Sequence, residues 1–319
     1  MRYPTSAGEA EGDLYRPPGP GPHPGVLVCL GVVPFEVDHP QVPILGRALA
    51  RAGYAALLHW SPAMRSFRLD PDDVKNIAVA YRWLIDRPDI DADRSGLLGT
   101  CVGGSFALMA AAEPLVRDDV AFVTEWAAYS SMWTFALDIA SATRPLDGTR
   151  VPWSVDPLTR KVYVRSMTAA LPPSEAALLR SAFAERTGTL DTSPLSADAR
   201  AIAPLLGVID ANGAELALRA LPDSLRLRLD ALSPASCLAD LRAPLITIAH
   251  DLDDAVIPID ESRRLWSALK GRPGVHYTEL GLFQHMDPTK QRVPLVVMIR
   301  ELAKFYLFAY PIFRQAGKG

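Results

Sequence analysis

Three cysteines in 319 residues are too few and too scattered for a disulfide framework. Cys29, Cys101 and Cys237 fit no zinc spacing, and no set of His, Asp and Glu has metal-ligand spacing. We therefore expect neither a metal nor a cofactor. Charge of one sign is also missing. The net charge of −3 leaves no basic field, so nucleic acid is not an expected partner. The first twenty residues hold no apolar stretch of the kind a secretory signal needs, so a reducing cytoplasm is the expected compartment. A long uninterrupted apolar run is lacking too. Residues 294–313 come closest, but Arg300, Glu301 and Lys304 break them. A spanning helix needs about 20 mostly apolar residues. Stable membrane insertion is thus not expected, and the segment reads as a buried amphipathic helix. A homo-oligomer stays open.

Apolar residues are plentiful at 49%, enough for a large core. Short apolar runs at 26–30, 55–59, 96–99, 121–124 and 245–249 read as buried parallel strands. Helical patterns at 44–52, 73–85, 105–112 and 261–269 lie between or after them. That alternation predicts an α/β fold, a mostly parallel sheet covered by helices on both faces. Residues 8–15 read as an antiparallel edge strand, followed by a stiff proline-rich stretch at 17–25.

The rhythm stops at 126–232, where only helix signals are read. Ser174 is placed as the N-cap of a helix over 175–184, and Ser196 as that of one over 197–206. Two more helices are expected at 214–220 and 223–232. The expected organisation is a core of 1–125 and 233–319 carrying a helical cap insertion of 126–232. So long an insertion is usually functional.

Gly99-Thr100-Cys101-Val102-Gly103-Gly104 is the most specific motif. It follows a strand pattern and opens a small-residue helix. A nucleophile held on a sharp strand-to-helix turn requires that context. Its neighbours two positions away must be tiny, because strand and helix nearly touch; Gly99 and Gly103 meet that need. The helix N-terminus places partial positive charge beside Cys101, favouring a thiolate. Cys29, inside a strand, and Cys237, where the cap rejoins the core, read as inert.

Downstream, the strand at 245–249 leads into His250-Asp251-Leu252-Asp253-Asp254-Ala255-Val256-Ile257-Pro258. A last strand at 275–280 leads into Gly281-Leu282-Phe283-Gln284-His285-Met286-Asp287. Nucleophile, acid and histidine in this order resemble the α/β-hydrolase superfamily, and the G-x-C-x-G-G elbow resembles its dienelactone-hydrolase-like branch. The resemblance covers 20–125 and 233–310. It implies the α/β-hydrolase fold and a triad of Cys101 as nucleophile, His285 as base and Asp254, four residues before Pro258, as acid. Asp251 and Asp253 are the fallback acids. It also implies an oxyanion hole from the backbone N–H groups of Val102 and Val32, with Val33 as second choice. The branch carries a glutamate just before the oxyanion-hole residue, which helps hold the resting thiol; here Gly31 takes that place. Dienelactone hydrolases also lack the long insertion, so their substrate is not implied.

His59, Trp60 and Trp126 stand near the expected carboxyl edge of the sheet, where ligands bind in open α/β folds, and are the candidate pocket-lining residues. Aromatic residues near the start of the insertion, Trp126, Tyr129, Trp133, Phe135 and Trp153, suggest an apolar acyl pocket. The expected partner is a small-molecule acyl substrate, an ester, lactone or thioester. Cysteine chemistry favours activated acyl groups, because a thiolate leaves more readily than an alkoxide. An acyltransferase with the same triad, and a non-catalytic binding protein on this fold, are the alternative readings.

Overall fold

The computed structural model describes residues 1–5, 8–34, 38–183, 190–285 and 294–317. In chain order the first elements are β1 (Arg2–Thr5), β2 (Gly8–Tyr15), β3 (His23–Cys29), α1 (Gln41–Arg51) and β4 (Ala55–Trp60). Then come α2 (Pro62–Arg65), α3 (Asp72–Ile85), β5 (Ile90–Thr100), α4 (Val102–Ala111) and β6 (Phe122–Trp126). The insertion holds α5 (Met132–Ser141), β7 (Thr143–Leu146), β8 (Thr149–Pro152), α6 (Pro157–Met167), α7 (Pro173–Phe183), α8 (Ala197–Leu206), α9 (Ala211–Arg219) and α10 (Asp223–Ala231). The chain returns through β9 (Leu245–Asp251), α11 (Asp260–Leu269), β10 (Val275–Leu280) and α12 (Leu295–Ala316).

Eight strands form one sheet in the order β1-β2-β4-β3-β5-β6-β9-β10. Pairings from β4 through β10 are parallel; β1 and β2 join antiparallel. Central strands read as unbroken apolar runs because both faces are covered: every residue of β4 and of β9 is buried. Parallel pairing puts the carboxyl ends of β3, β5, β6, β9 and β10 along one edge of the sheet, and the loops that follow them gather there.

Several expectations are corrected. Residues 8–15 form a strand, but β1 pairs outside it and takes the edge. Tyr3 is buried, and its hydroxyl meets His59 Nδ1 at 2.7 Å, which fixes β1 in place. The insertion is not helical throughout. An Asp147-Gly148 turn with φ of 48° and 78° closes the β7–β8 hairpin, the left-handed pair that a tight hairpin needs. Helices α5 and α6 were not foreseen either, although Pro157 at the first position of α6 and the Asp156 cap before it are helix-start signals. Ser196 caps α8 as expected, accepting from the Ala199 N–H at 3.3 Å. Ser174 instead falls inside α7, which begins at Pro173, and Ala184 lies outside the described residues. Met286 and Asp287, beyond His285, also lie outside them.

A buried carboxylate ties the insertion to the sheet layer. Glu261 of α11 accepts the Ser130 and Ser131 N–H groups at 2.8 and 3.2 Å, at the entry to α5. Its other oxygen accepts the Thr134 hydroxyl at 2.7 Å and pairs with Arg264. The Tyr129 hydroxyl reaches across to the Leu232 carbonyl at 2.7 Å, joining the start and end of the insertion.

Candidate active site

Cys101 stands between β5 and α4 with φ 56° and ψ −139°. A side chain rarely occupies that backbone region, which costs on the order of 1–3 kcal/mol and is found at functional turns. Its N–H donates to the Trp126 carbonyl at 2.8 Å, pinning the turn to the end of β6. The flanking glycines are steric necessities. A Cβ on Gly99 would lie 2.5 Å from the Gly104 Cα, and one on Gly103 would lie 2.5 Å from the Gly31 nitrogen. Gly31 has φ 77°, and a Cβ there would stand 2.8 Å from the Thr100 carbonyl oxygen. Gly31 therefore has no room for a side chain.

The loop after β10 brings His285 to the same spot. His285 Nδ1 lies 2.8 Å from Asp254 Oδ2, and the imidazole lines the same cavity as the Cys101 side chain. Burial alone would lower the His285 pKa. The negative charges of Cys101 and Asp254 outweigh that and hold it well above its ordinary value. Asp254 is buried, and burial alone would raise its pKa; the charges and hydrogen bonds of His285 and His250 keep it far below the usual carboxylate range. Its second oxygen accepts the N–H groups of Val256 and Ile257 at 2.7 and 3.0 Å. Residues 31 positions apart thus become one polar unit because β9 and β10 are neighbours.

Two supporting residues escaped the sequence reading. His250, at the end of β9, is fully buried with Nε2 3.4 Å from Asp254 Oδ2. Its ring nitrogens also meet Ser262 Oγ at 2.7 Å and the Ile257 carbonyl at 2.9 Å. Asp251, a fallback acid in the sequence, instead holds up the histidine loop. Its Oδ2 accepts the Phe283 N–H at 2.7 Å and its Oδ1 the Asp253 N–H at 3.1 Å. Burial lifts the Asp251 carboxyl above its ordinary range, partly offset by those N–H groups and by those of Gln284 and Leu282. The adjacency of His250, Asp251 and the acid loop was a visible signal, but their partners lie on other elements. Asp253 is exposed.

A cavity of about 960 Å³ opens over this group, between the sheet edge and the insertion. Cys101, Val102, Val32 and His285 line its floor. Most of its wall is apolar: Val42 and Leu45 from α1, Phe135 and Ile139 from α5, Leu158 and Val162 from α6. Among the described lining residues, the charged or titratable side chains besides Cys101 and His285 are Asp156 and Tyr163. Both are already engaged. Asp156 caps α6 through the Leu158 and Thr159 N–H groups, and the Tyr163 hydroxyl donates to the Leu205 carbonyl.

Of the aromatic residues expected near the pocket, Phe135 lines it and three prominent candidates turn elsewhere. His59 is buried against Tyr3, where burial pushes its pKa down to about 4. Trp60 donates to Asp13 Oδ2 at 2.9 Å. Both border a separate void of only about 10 Å³, together with Cys29. The Trp126 ring packs edge-on against Phe283 at 5.3 Å and Phe308 at 5.9 Å, bracing the histidine loop from beneath. Successive strand residues face opposite sides of a sheet, so standing at the carboxyl edge does not decide which side a ring faces. Cys29 is buried and Cys237 half-buried; burial pushes the Cys237 thiol up to about 12, and Cys29 higher still. Among the described residues no group of three or more His, Cys, Asp or Glu could hold a metal, and no helix is long and apolar enough to cross a membrane.

An eight-stranded, mostly parallel sheet with a strand–turn–helix elbow, and with an acid and a histidine on the later strand ends, defines the α/β-hydrolase fold. The chain has that fold. Its similarity is to an α/β hydrolase from Penicillium sp. sh18, GrgF, at TM-score 0.54 and 15% identity over 97% of both chains. No family model matches. A probable 2-oxo-3-(5-oxofuran-2-ylidene)propanoate lactonase of Bradyrhizobium sp. is 34% identical over 124 residues, which are 34% of this chain and 49% of that protein. Human acyl-coenzyme A thioesterase 1 is 26% identical over 107 residues, 34% of this chain and 25% of that protein. The chain thus matches half or less of the length of these curated relatives.

Proposed function

We propose that this protein hydrolyses an activated acyl compound, an ester, lactone or thioester with an apolar acyl group, through an acyl-enzyme on Cys101. One observation carries the reading. A cysteine on a strained turn shares one large apolar cavity with a histidine that is bonded to a buried aspartate. The two curated relatives, a lactonase and a thioesterase by name, point to the same range of acyl groups. The dienelactone-hydrolase-like subtype belongs to this proposal, carried by the G-x-C-x-G-G elbow at 99–104 with an aspartate and a histidine later in the chain.

With Nδ1 committed to Asp254, His285 uses Nε2 toward the sulfur. It takes the Sγ proton, and the thiolate attacks the acyl carbon, forming the C–S bond while the carbonyl π pair moves to oxygen. The N–H of Val102, first in α4, has no partner within its helix and would hold that oxygen with the N–H of Val32. Collapse breaks the bond to the leaving alcohol or thiol, which takes the proton from His285. Water then loses a proton to His285 and attacks the thioester carbon. The C–S bond breaks, and the sulfur regains its proton. Asp254 stabilises the imidazolium in both halves.

The test is the initial rate with p-nitrophenyl acetate and butyrate for the wild type and Cys101→Ala. A fall of roughly a hundredfold or more is expected, since removing a nucleophile costs at least that. Equal rates in the two proteins would remove Cys101 from the chemistry. Simple alkyl esters or amides turning over faster than aryl esters would reject the preference for activated acyl groups.

A further inference from the structure

Among the described residues, the outer face of α12 gathers the largest group of exposed apolar side chains. Leu295, Ile299, Leu302, Tyr306, Tyr310 and Phe313 recur at helical spacing, and all are exposed; Leu295 is 69% and Tyr306 58% accessible. The opposite face, with Glu301, Phe308, Ala309 and Ile312, is already buried on the core. A surface helix normally turns its apolar stripe to the core and its polar residues to water, so a second apolar stripe facing water calls for a cover. With their apolar neighbours these residues expose on the order of 1,000 Å², beyond the roughly 300–600 Å² of the largest patch on a typical monomer. It is also enough for the about 800 Å² that each partner gives to a standard interface.

We propose that this face is covered by the same face of a second copy of the chain, with the two α12 helices packed antiparallel about a two-fold axis. Two features of the helix favour that occupant. Its first half presents aliphatic residues and its second half aromatic ones, so antiparallel pairing sets Leu295 against Phe313 and Leu302 against Tyr306 of the other copy. In addition, Tyr306, Tyr310, Phe313 and Arg314 leave a shallow, open groove at the second half. Projecting aliphatic groups and a shallow aromatic groove on one helix make the self-complementary surface that a two-fold interface requires. The charges fit a lipid surface poorly. Membrane-surface helices carry free Lys and Arg along the polar face, whereas Arg300 and Lys304 are both paired with the buried Glu301.

Sedimentation equilibrium of the full chain at micromolar concentrations tests this. The wild type should be a dimer. Leu302→Glu and Tyr306→Lys should each weaken it by roughly a hundredfold or more, because each buries an unpaired charge. An equimolar mixture of the two should regain the dimer mass, because antiparallel pairing sets residue 302 of one copy against 306 of the other. Both positions are exposed in the monomer, so circular dichroism should stay unchanged; Leu295→Glu, at the helix end, is a third variant expected to act alike. A monomeric wild type, or a dimer indifferent to all three substitutions, would overturn the proposal. So would a mixture that stays monomeric, or a wild-type monomer that co-sediments with phosphatidylcholine–phosphatidylglycerol vesicles.

Discussion

Replacing Asp251 by asparagine tests whether the histidine loop is held from below. The carboxylate is buried at the end of β9 and accepts the Phe283 and Asp253 N–H groups at 2.7 and 3.1 Å. Asparagine keeps the shape and one oxygen, but turns an NH₂ group toward one of these donors. At least one charge-assisted bond is lost, worth about 1.5–3 kcal/mol, and a donor is left facing a donor. Phe283 is two residues from His285, so the free energy is taken from the placement of the proposed base. Since about 1.4 kcal/mol corresponds to a factor of ten in rate, kcat/KM for p-nitrophenyl butyrate should fall roughly ten- to a hundredfold. Iodoacetamide should still label Cys101 in the variant, because the elbow is set by Gly99, Gly103 and the Trp126 carbonyl rather than by this loop. The assay belongs well below the variant's melting temperature, so that unfolding does not mimic the effect. A variant within twofold of wild type would show that the loop holds His285 without Asp251, and the reasoning would fail.

Three further outcomes follow from other parts of the structure. Gly103→Ala should abolish activity and lower the melting temperature markedly, because the added methyl meets the backbone of Cys29 and Gly31 rather than a yielding side chain; normal activity would contradict the close approach of β3 and α4. Val162→Trp, which fills part of the cavity, should reduce kcat/KM for long acyl esters about tenfold or more while sparing acetate, since a lost pocket contact is worth about 1–3 kcal/mol; equal losses for both chains would place the acyl group elsewhere. Glu125 is fully buried, and burial lifts its carboxyl to about 8, against about 4.3 for a free glutamate. Its folded value lies above the unfolded one, so its stabilisation is complete below about pH 4.3 and is lost as pH rises toward 8, by a few kcal/mol at about 1.4 per unit. Melting curves of Glu125→Gln should therefore gain on the wild type between pH 5 and pH 8, and parallel curves would refute the burial argument.

The local part of this protein was legible in the chain. The elbow reads directly because close approach of strand and helix permits only glycine at 99 and 103, and that constraint lies within five residues of sequence. Buried parallel strands read as apolar runs for the same kind of reason: solvent is excluded from both faces, so no polar alternation is needed. Even the Asp147-Gly148 hairpin was written in two residues, although it lies within a stretch read as helical.

The rest was decided by which elements the fold makes neighbours. The 2.8 Å contact of Asp254 with His285 exists because β9 pairs with β10, a choice made by the packing of the whole sheet. Asp251 was read as a spare acid, and only the loop laid across it makes it a hydrogen-bond anchor. Trp126 had the position of a pocket residue, but the pleat of β6 turns its ring toward α12 instead. The cavity wall joins side chains from α1, α5 and α6, between Val42 and Val162, and no period in the sequence records that meeting. Likewise the sequence read α12 as a buried amphipathic helix, whereas only one side of it is buried. Burial is a property of what lies opposite, and for Leu295, Leu302 and Tyr306 the tertiary structure of one chain places nothing there among the described residues. Short-range sterics and apolar periodicity therefore determined the elements and the strained turn at Cys101, while long-range packing chose the side chains that surround it.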